Sequence, residues 1–98
     1  MKITIYNSAK QELNNLMENN KDKYIRIFIQ CVTMHNDAKI DLKVDDINEG
    51  DILFEVDGYK IIINESLTYQ VSNISISFGG LLSRDSFSVD ANFGEYDM

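Results

Sequence analysis

Residues 49–64 read EGDILFEVDGYKIIIN and hold two apolar runs on either side of an Asp57-Gly58 pair. A two-residue type I′ loop needs positive φ at both positions, which Asp and Gly tolerate, and its twist matches that of the flanking strands. The stretch therefore predicts a β-hairpin that contributes to a hydrophobic core. Its period of two places these residues on one face of the first strand: Ile52, Phe54 and Val56. On the second strand Tyr59, Ile61 and Ile63 alternate with Lys60, Ile62 and Asn64.

The segment before the hairpin predicts a helix followed by two strands. Ser8 and Gln11 resemble a helix start in which the Ser hydroxyl caps free amides and Gln reaches back. The apolar stripe of this helix comprises Ala9, Leu13, Leu16 and Met17, and its end falls near residues 19–22. Residues 24–32 (YIRIFIQCV) predict a central strand that is rich in β-branched residues, with Ile25, Ile27 and Ile29 on one side. Ile40, Leu42 and Val44 alternate with charged residues, as in a half-buried antiparallel strand.

The rest of the chain adds short elements. Residues 65–70 favour a helical turn, residues 74–78 alternate as a strand, and Gly79-Gly80 permits a sharp turn before a last strand at 87–89. The predicted fold class is therefore α+β, mostly antiparallel β, with one N-terminal helix.

Length and composition limit the possible functions. The 98 residues suit one domain spanning 1–98. The apolar runs are far shorter than the roughly 20 residues of a membrane span, and Met1 leads straight into a strand pattern, so we expect a cytosolic protein without a membrane partner. The net charge of −7 disfavours nucleic acid as a partner. The acidic residues suit a basic protein partner or cations, or simply keep the surface soluble.

Five pieces of the sequence, taken in order, resemble the HesB-like, A-type carrier domain of iron-sulfur cluster biogenesis. They are MKITIY at 1–6, the helix, YIRIFI at 24–29, the hairpin at 49–64, and GLL at 80–82 with SFSVDAN at 86–92. The resemblance spans nearly the whole chain. It implies a compact β-sandwich or pseudobarrel with one N-terminal helix, and a protein that handles iron-sulfur clusters as an oligomer.

The chain departs from that family at the cluster ligands. Cluster-bearing members have a cysteine in a Gly-rich loop after the central strand and a Cys-Gly-Cys pair near the C-terminus. Here an ungapped count places Met34 at the loop position, and residues 92–98 contain no cysteine. The resemblance therefore implies a non-catalytic family member without the usual three-cysteine site, which acts by pairing with a homologue or holding a client protein.

Two groups of residues are candidates for binding. Cys31 and His35, with Asp37 nearby, offer a thiolate and an imidazole for iron or another metal, and a cluster would have to be shared between subunits. The alternative is a buried apolar Cys and an exposed His. Phe93 and Tyr96 lie among acidic residues and could anchor a protein partner, or belong to a poorly ordered terminus.

Catalysis has little support in the sequence. Cys31 and His35 lie on a short polar stretch without a glycine-rich element to bind an oxyanion. Gly79-Gly80 is not followed by the Lys-Ser/Thr of a phosphate-binding loop. We therefore expect no catalytic residues, so that the protein is not an enzyme.

Overall fold

The computed structural model describes residues 1–32, 38–79 and 86–93. In chain order the elements are β1 (Lys2–Ile5), α1 (Asn7–Glu18), β2 (Tyr24–Val32), β3 (Ala38–Asp45), β4 (Asp51–Val56), β5 (Tyr59–Asn64), α2 (Glu65–Thr68), β6 (Val71–Phe78) and β7 (Phe87–Phe93). The strands form one seven-stranded sheet in the order β1-β6-β7-β3-β2-β5-β4. This confirms the predicted α+β class with one N-terminal helix.

The sheet is mostly antiparallel and almost closed into a barrel. β2–β3, β3–β7, β4–β5 and β6–β7 pair antiparallel, whereas β1–β6 and β2–β5 pair parallel. The two edge strands, β1 and β4, lie close to each other. Curling the sheet in this way shields edges that would otherwise offer unpaired backbone groups to other chains.

The β4–β5 hairpin has the predicted turn and register. Asp57 and Gly58 have φ values of 54° and 86°, so both adopt the positive φ of a type I′ loop. Val56 pairs with Tyr59 at the turn, and the pairing continues to Asp51 and Asn64. Ile61 and Ile63 are fully buried, and Phe54 and Val56 pack against the core. Ile52 is the exception on this face: it is 37% exposed near the start of the edge strand.

The helix covers one side of the core as its stripe predicts. Ala9 and Leu13 are fully buried, and Leu16 and Met17 pack against the core. The Tyr59 hydroxyl lies 3.0 Å from the Lys10 carbonyl oxygen and 2.7 Å from the Asn14 side-chain oxygen, which ties β5 to α1.

The predicted helix cap at Ser8 was wrong. Tyr6 occupies the N-cap position and makes no side-chain cap bond. The Ser8 hydroxyl instead accepts a hydrogen bond from the backbone N–H of Phe78, at 3.1 Å. The Ser8 hydroxyl thus bonds to a residue of β6, whereas the local sequence pattern predicts that it bonds to amides of the first helical turn.

The second half of the chain forms the predicted elements. α2 lies within the predicted 65–70. β6 begins at Val71, three residues before the predicted start, and β7 extends beyond the predicted 87–89 because the two strands pair as far as Phe93 opposite Val71. Gly79 has a φ of 81°, as the turn requires, whereas Gly80 lies outside the described residues. Within the described ranges, no helix has the length and apolar character to span a membrane.

Candidate functional site

The strand ends that adjoin the two predicted binding segments lie at the same end of the sheet. β2 ends and β3 begins at the paired residues Val32 and Ala38. β7 runs antiparallel to β3 with Val89 opposite Ile40, so β7 advances toward that same end as it approaches Phe93. The strand ends next to residues 33–37 and 94–98 are therefore neighbours in the sheet, as a site built from both segments requires.

Of the four candidate binding residues, only Cys31 and Phe93 belong to described strands. The backbone of Cys31 pairs with Lys39, just after a register irregularity between Ile29 and Cys31. Such a bulge locally disrupts the ladder. Phe93 is the last residue of β7. His35, with Met34 and Asp37, and Tyr96 lie outside the described residues.

The described part of the chain contains no cluster of three His, Cys, Asp or Glu side chains that could hold a metal ion. A metal site at this end of the sheet would accordingly depend on the segments next to Cys31. The prediction of a site at Cys31 and His35 remains untested.

A charged network lies on the outer face of β2, opposite the buried Ile25 and Ile27. Arg26 donates from Nε to Asp45 at 2.7 Å, and from its two terminal nitrogens to both carboxylate oxygens of Asp51 at 2.8 Å each. A further bond of 3.1 Å reaches the Asp46 carbonyl oxygen. The side chains of Arg26 and Asp51 are only 12% and 1% exposed. The two-bond geometry on Asp51 is the strong form of the Arg–carboxylate pair.

The Arg26 guanidinium sets the ionisation of both carboxylates. Hydrogen bonding from Arg26 lowers the pKa of Asp51, assisted by the Asn48 amide and opposed by burial. Hydrogen bonding from Arg26 also lowers the pKa of Asp45, with help from the Asp46 amide. The Asp51 carboxylate in turn raises the pKa of Arg26. The network is therefore fully charged at neutral pH.

The network fixes the connection between β3 and β4. These two strands are separated in the sheet by β2 and β5, so residues 46–50 must cross both. We call residues 46–50 the crossing. Arg26 binds it and the strand ends beside it at three places, through Asp45, Asp46 and Asp51. One cross-strand row runs beneath it and consists of Lys43, Arg26, Ile62 and Leu53. We call it the crossing row.

Burial along the crossing row is greatest in the middle. Ile62 is fully buried although it lies on the face away from the main core. Leu53, its neighbour on β4, is 43% exposed. The Lys43 side chain at the other end is 54% exposed. This gradient matches a cover formed by the crossing over β2 and β5.

Sequence reasoning did not identify the Arg26 network. The available signals were an arginine within a largely apolar strand and a series of aspartates between 41 and 51. Neither signal shows which carboxylate the arginine contacts, because that depends on the order of strands in the sheet. With its hydrogen bonds satisfied by the chain itself, the network acts as a structural clamp.

Comparisons with known proteins identify the fold but no sequence relative. No known protein family matches the chain, and no curated protein matches it by sequence. A solved structure is similar in fold. The crystal structure of Escherichia coli SufA, described as involved in biosynthesis of iron-sulfur clusters, matches this chain with a TM-score of 0.70 at 15% identity. The likeness covers 93% of this chain and 86% of that one. The chain therefore has the fold of SufA.

Proposed function

We propose that this chain is a non-catalytic, HesB-like member of the iron-sulfur cluster biogenesis proteins, with residues 1–98 as its single domain. It acts through protein contacts in the cytosol and does not use a three-cysteine cluster site. The observation that carries the proposal is the likeness to the SufA fold over 93% of the chain, combined with a sequence that contains one cysteine. On this proposal the chain retains the family fold but lacks the three cysteines that hold the cluster in other members.

Ligand chemistry supports the loss of the usual cluster site. An iron-sulfur cluster is generally held by four cysteine thiolates, and each chain here supplies only Cys31. Four copies, or foreign ligands, would be needed to complete the set. The other sulfur near the family's loop position, in Met34, is a weak thioether ligand.

Anaerobic reconstitution with ferrous iron and sulfide tests this part of the proposal. We expect the desalted protein to show no visible cluster absorption and much less than one iron and one sulfide per four chains. Cys31→Ala should give the same result as the unchanged protein. Stoichiometric iron and sulfide that disappear in Cys31→Ala would contradict the proposal, because they would show a cluster shared between subunits through Cys31.

The second candidate function is binding of a single iron or other metal ion by Cys31 and His35. It is favoured by the sequence spacing, since His35 follows Cys31 by four residues, and by the position of Cys31 next to the end of β2 at Val32. A cobalt(II) titration separates it from the first candidate, since thiolate ligation gives an intense near-ultraviolet charge-transfer band. If the site exists, Cys31→Ala should abolish the band because it removes the thiolate, and His35→Ala should weaken cobalt binding because it removes the imidazole ligand.

A second prediction concerns the predicted protein contact at Phe93 and Tyr96. We propose self-association through the end of β7, and expect Phe93→Ala and Tyr96→Ala each to weaken it about tenfold, as loss of an aromatic anchor does. Sedimentation velocity over a concentration series measures the effect. Tyr6→Ala is the matched control. Tyr6 is a 52% exposed aromatic residue directly after β1, at the end of the sheet opposite to Phe93.

Two outcomes would contradict this contact. A chain that stays monomeric at all concentrations has no self-association for Phe93 and Tyr96 to support. Equal weakening by Tyr6→Ala would show that the loss reflects a general change in the aromatic surface, and not the end of β7.

A further inference from the structure

An open cleft lies between the second half of α1 and the turn of the β4–β5 hairpin. Its volume is about 480 Å³, within the range of small-molecule sites. Its lining comes from α1, the residues that follow it, and the hairpin: Asn14, Asn15, Met17, Glu18, Lys21, Lys23, Gly58, Tyr59 and Lys60. The cleft is remote from Cys31, since it lies beside the start of β2 and the Asp57-Gly58 turn.

The cleft is basic although the protein is acidic. The chain has a net charge of −7 and only nine basic residues, yet three of those nine line this one cleft. They are Lys21, Lys23 and Lys60, and they face a single lining carboxylate, Glu18. The charged residues that line the cleft therefore sum to a positive charge, whereas the whole molecule is negative.

Two of the three lysines have no carboxylate partner among the described residues. Lys23 forms an ion pair of 2.7 Å with Asp46, which raises the pKa of its ammonium group. Lys21 and Lys60 are both exposed, and within the described part of the chain neither side chain makes a hydrogen bond or an ion pair. Glu55 lies opposite Lys60 in the β4–β5 register but forms no ion pair with it. These two ammonium groups are available to an anion.

The remaining lining is partly apolar and held in place. Met17 and Tyr59 are half-buried. Tyr59 is fixed by the contacts of its hydroxyl with α1, at Lys10 and Asn14. An aromatic wall that is already fixed loses little conformational freedom on binding, which favours a ligand that combines an apolar body with a charged group.

From these observations we infer that the cleft binds a small organic anion whose phosphate or carboxylate group lies between Lys21 and Lys60 and whose apolar body packs on Met17 and Tyr59. A small ligand fits better than nucleic acid. The long phosphate backbone of a nucleic acid would extend beyond the cleft onto a surface of the same sign. A single anionic group needs only the local pair of ammonium ions.

The test is an amide chemical-shift titration of the full chain with three probes in about 0.15 M salt. Adenosine 5′-monophosphate and citrate represent the phosphate and carboxylate sources, and adenosine is the neutral counterpart. We expect saturable shifts at residues 14–23 and 58–60 with at least one anion, at a Kd of about 1 mM or below, and none with adenosine. Absence of saturation with both anions, or an equal response to adenosine, would overturn the inference.

Charge variants then decide whether the lysines hold the anion. Lys21→Gln and Lys60→Gln should each raise the Kd about threefold to fivefold, whereas Glu18→Gln should lower it, because it removes a like charge. Lys2→Gln is the matched control, since it removes one exposed lysine charge on β1. An equal change in Lys2→Gln would show a general charge effect and overturn the site.

Discussion

Replacing Arg26 with Met is expected to lower the free energy of unfolding by about 3 to 5 kcal/mol, as measured by urea denaturation at neutral pH. The arginine side chain is 12% exposed and its partner Asp51 is 1% exposed. The change removes both bonds to Asp51. Within the described residues, the buried carboxylate then keeps one hydrogen bond, from the Asn48 amide at 2.7 Å. Stranding a buried charge costs far more than losing an exposed ion pair.

The matched control for this change is Lys43→Met on the same crossing row. Lys43 pairs with Arg26 in register, but its side chain is 54% exposed and lies 4.0 Å from Asp45. Its ammonium also sits 5.0 Å from the centroid of the Phe28 ring. Contacts this exposed contribute about 1 kcal/mol or less. Equal losses for the two variants would mean that the network does not clamp the crossing.

The pH dependence of the Arg26→Met effect follows from the lowered pKa of Asp51. A carboxylate whose pKa is lower in the folded than in the unfolded state stabilises the fold above its unfolded pKa of about 3.9, and loses that contribution as the pH falls through the folded pKa. In the variant, the guanidinium no longer lowers the pKa of Asp51. The difference between the two proteins should therefore be largest near neutral pH and shrink below about pH 4.

The elements that the sequence predicted well are those set by local rules. The hairpin register follows from Asp57 and Gly58, because few other residue pairs accept positive φ at both positions. The stripe of α1 follows from helical spacing, which puts Ala9 and Leu13 on one buried face. These patterns need no knowledge of which strands are neighbours.

The features that the sequence left open depend on strand order. β3 and β4 follow one another in the chain but flank β2 and β5, and nothing in residues 46–50 indicates that they cross the sheet. For the same reason, the sequence placed Ile62, between Ile61 and Ile63, on the opposite face of the strand from the core residues but did not predict that it is buried. Of the strand ends beside the candidate site, the sequence predicted only the end of β2 at Val32. It ended the last strand at residue 89, whereas pairing with β6 extends β7 to Phe93.

Ile62→Ala is expected to destabilise the protein by about 3 kcal/mol, as measured by urea denaturation. Ile62 is fully buried, so truncation removes apolar contacts and leaves a cavity. We attribute this burial to residues 46–50, and expect the bonds from Arg26 to keep them from collapsing into the cavity. Leu53→Ala, the next position on the crossing row, is the control. Leu53 is 43% exposed, so its truncation should cost about 1 kcal/mol or less.

The two buried members of the crossing row should also be coupled. Arg26 and Ile62 are register partners beneath one connection, so the double variant Arg26→Met, Ile62→Ala should lose less stability than the sum of the single losses. Once Arg26 no longer holds residues 46–50, this connection is free to move away from residue 62. Ile62 is then already partly exposed in Arg26→Met, so its truncation in that variant should cost less. Strict additivity, or equal costs for Ile62→Ala and Leu53→Ala, would show that the crossing does not bury this face, and the clamp would then be a surface ion pair.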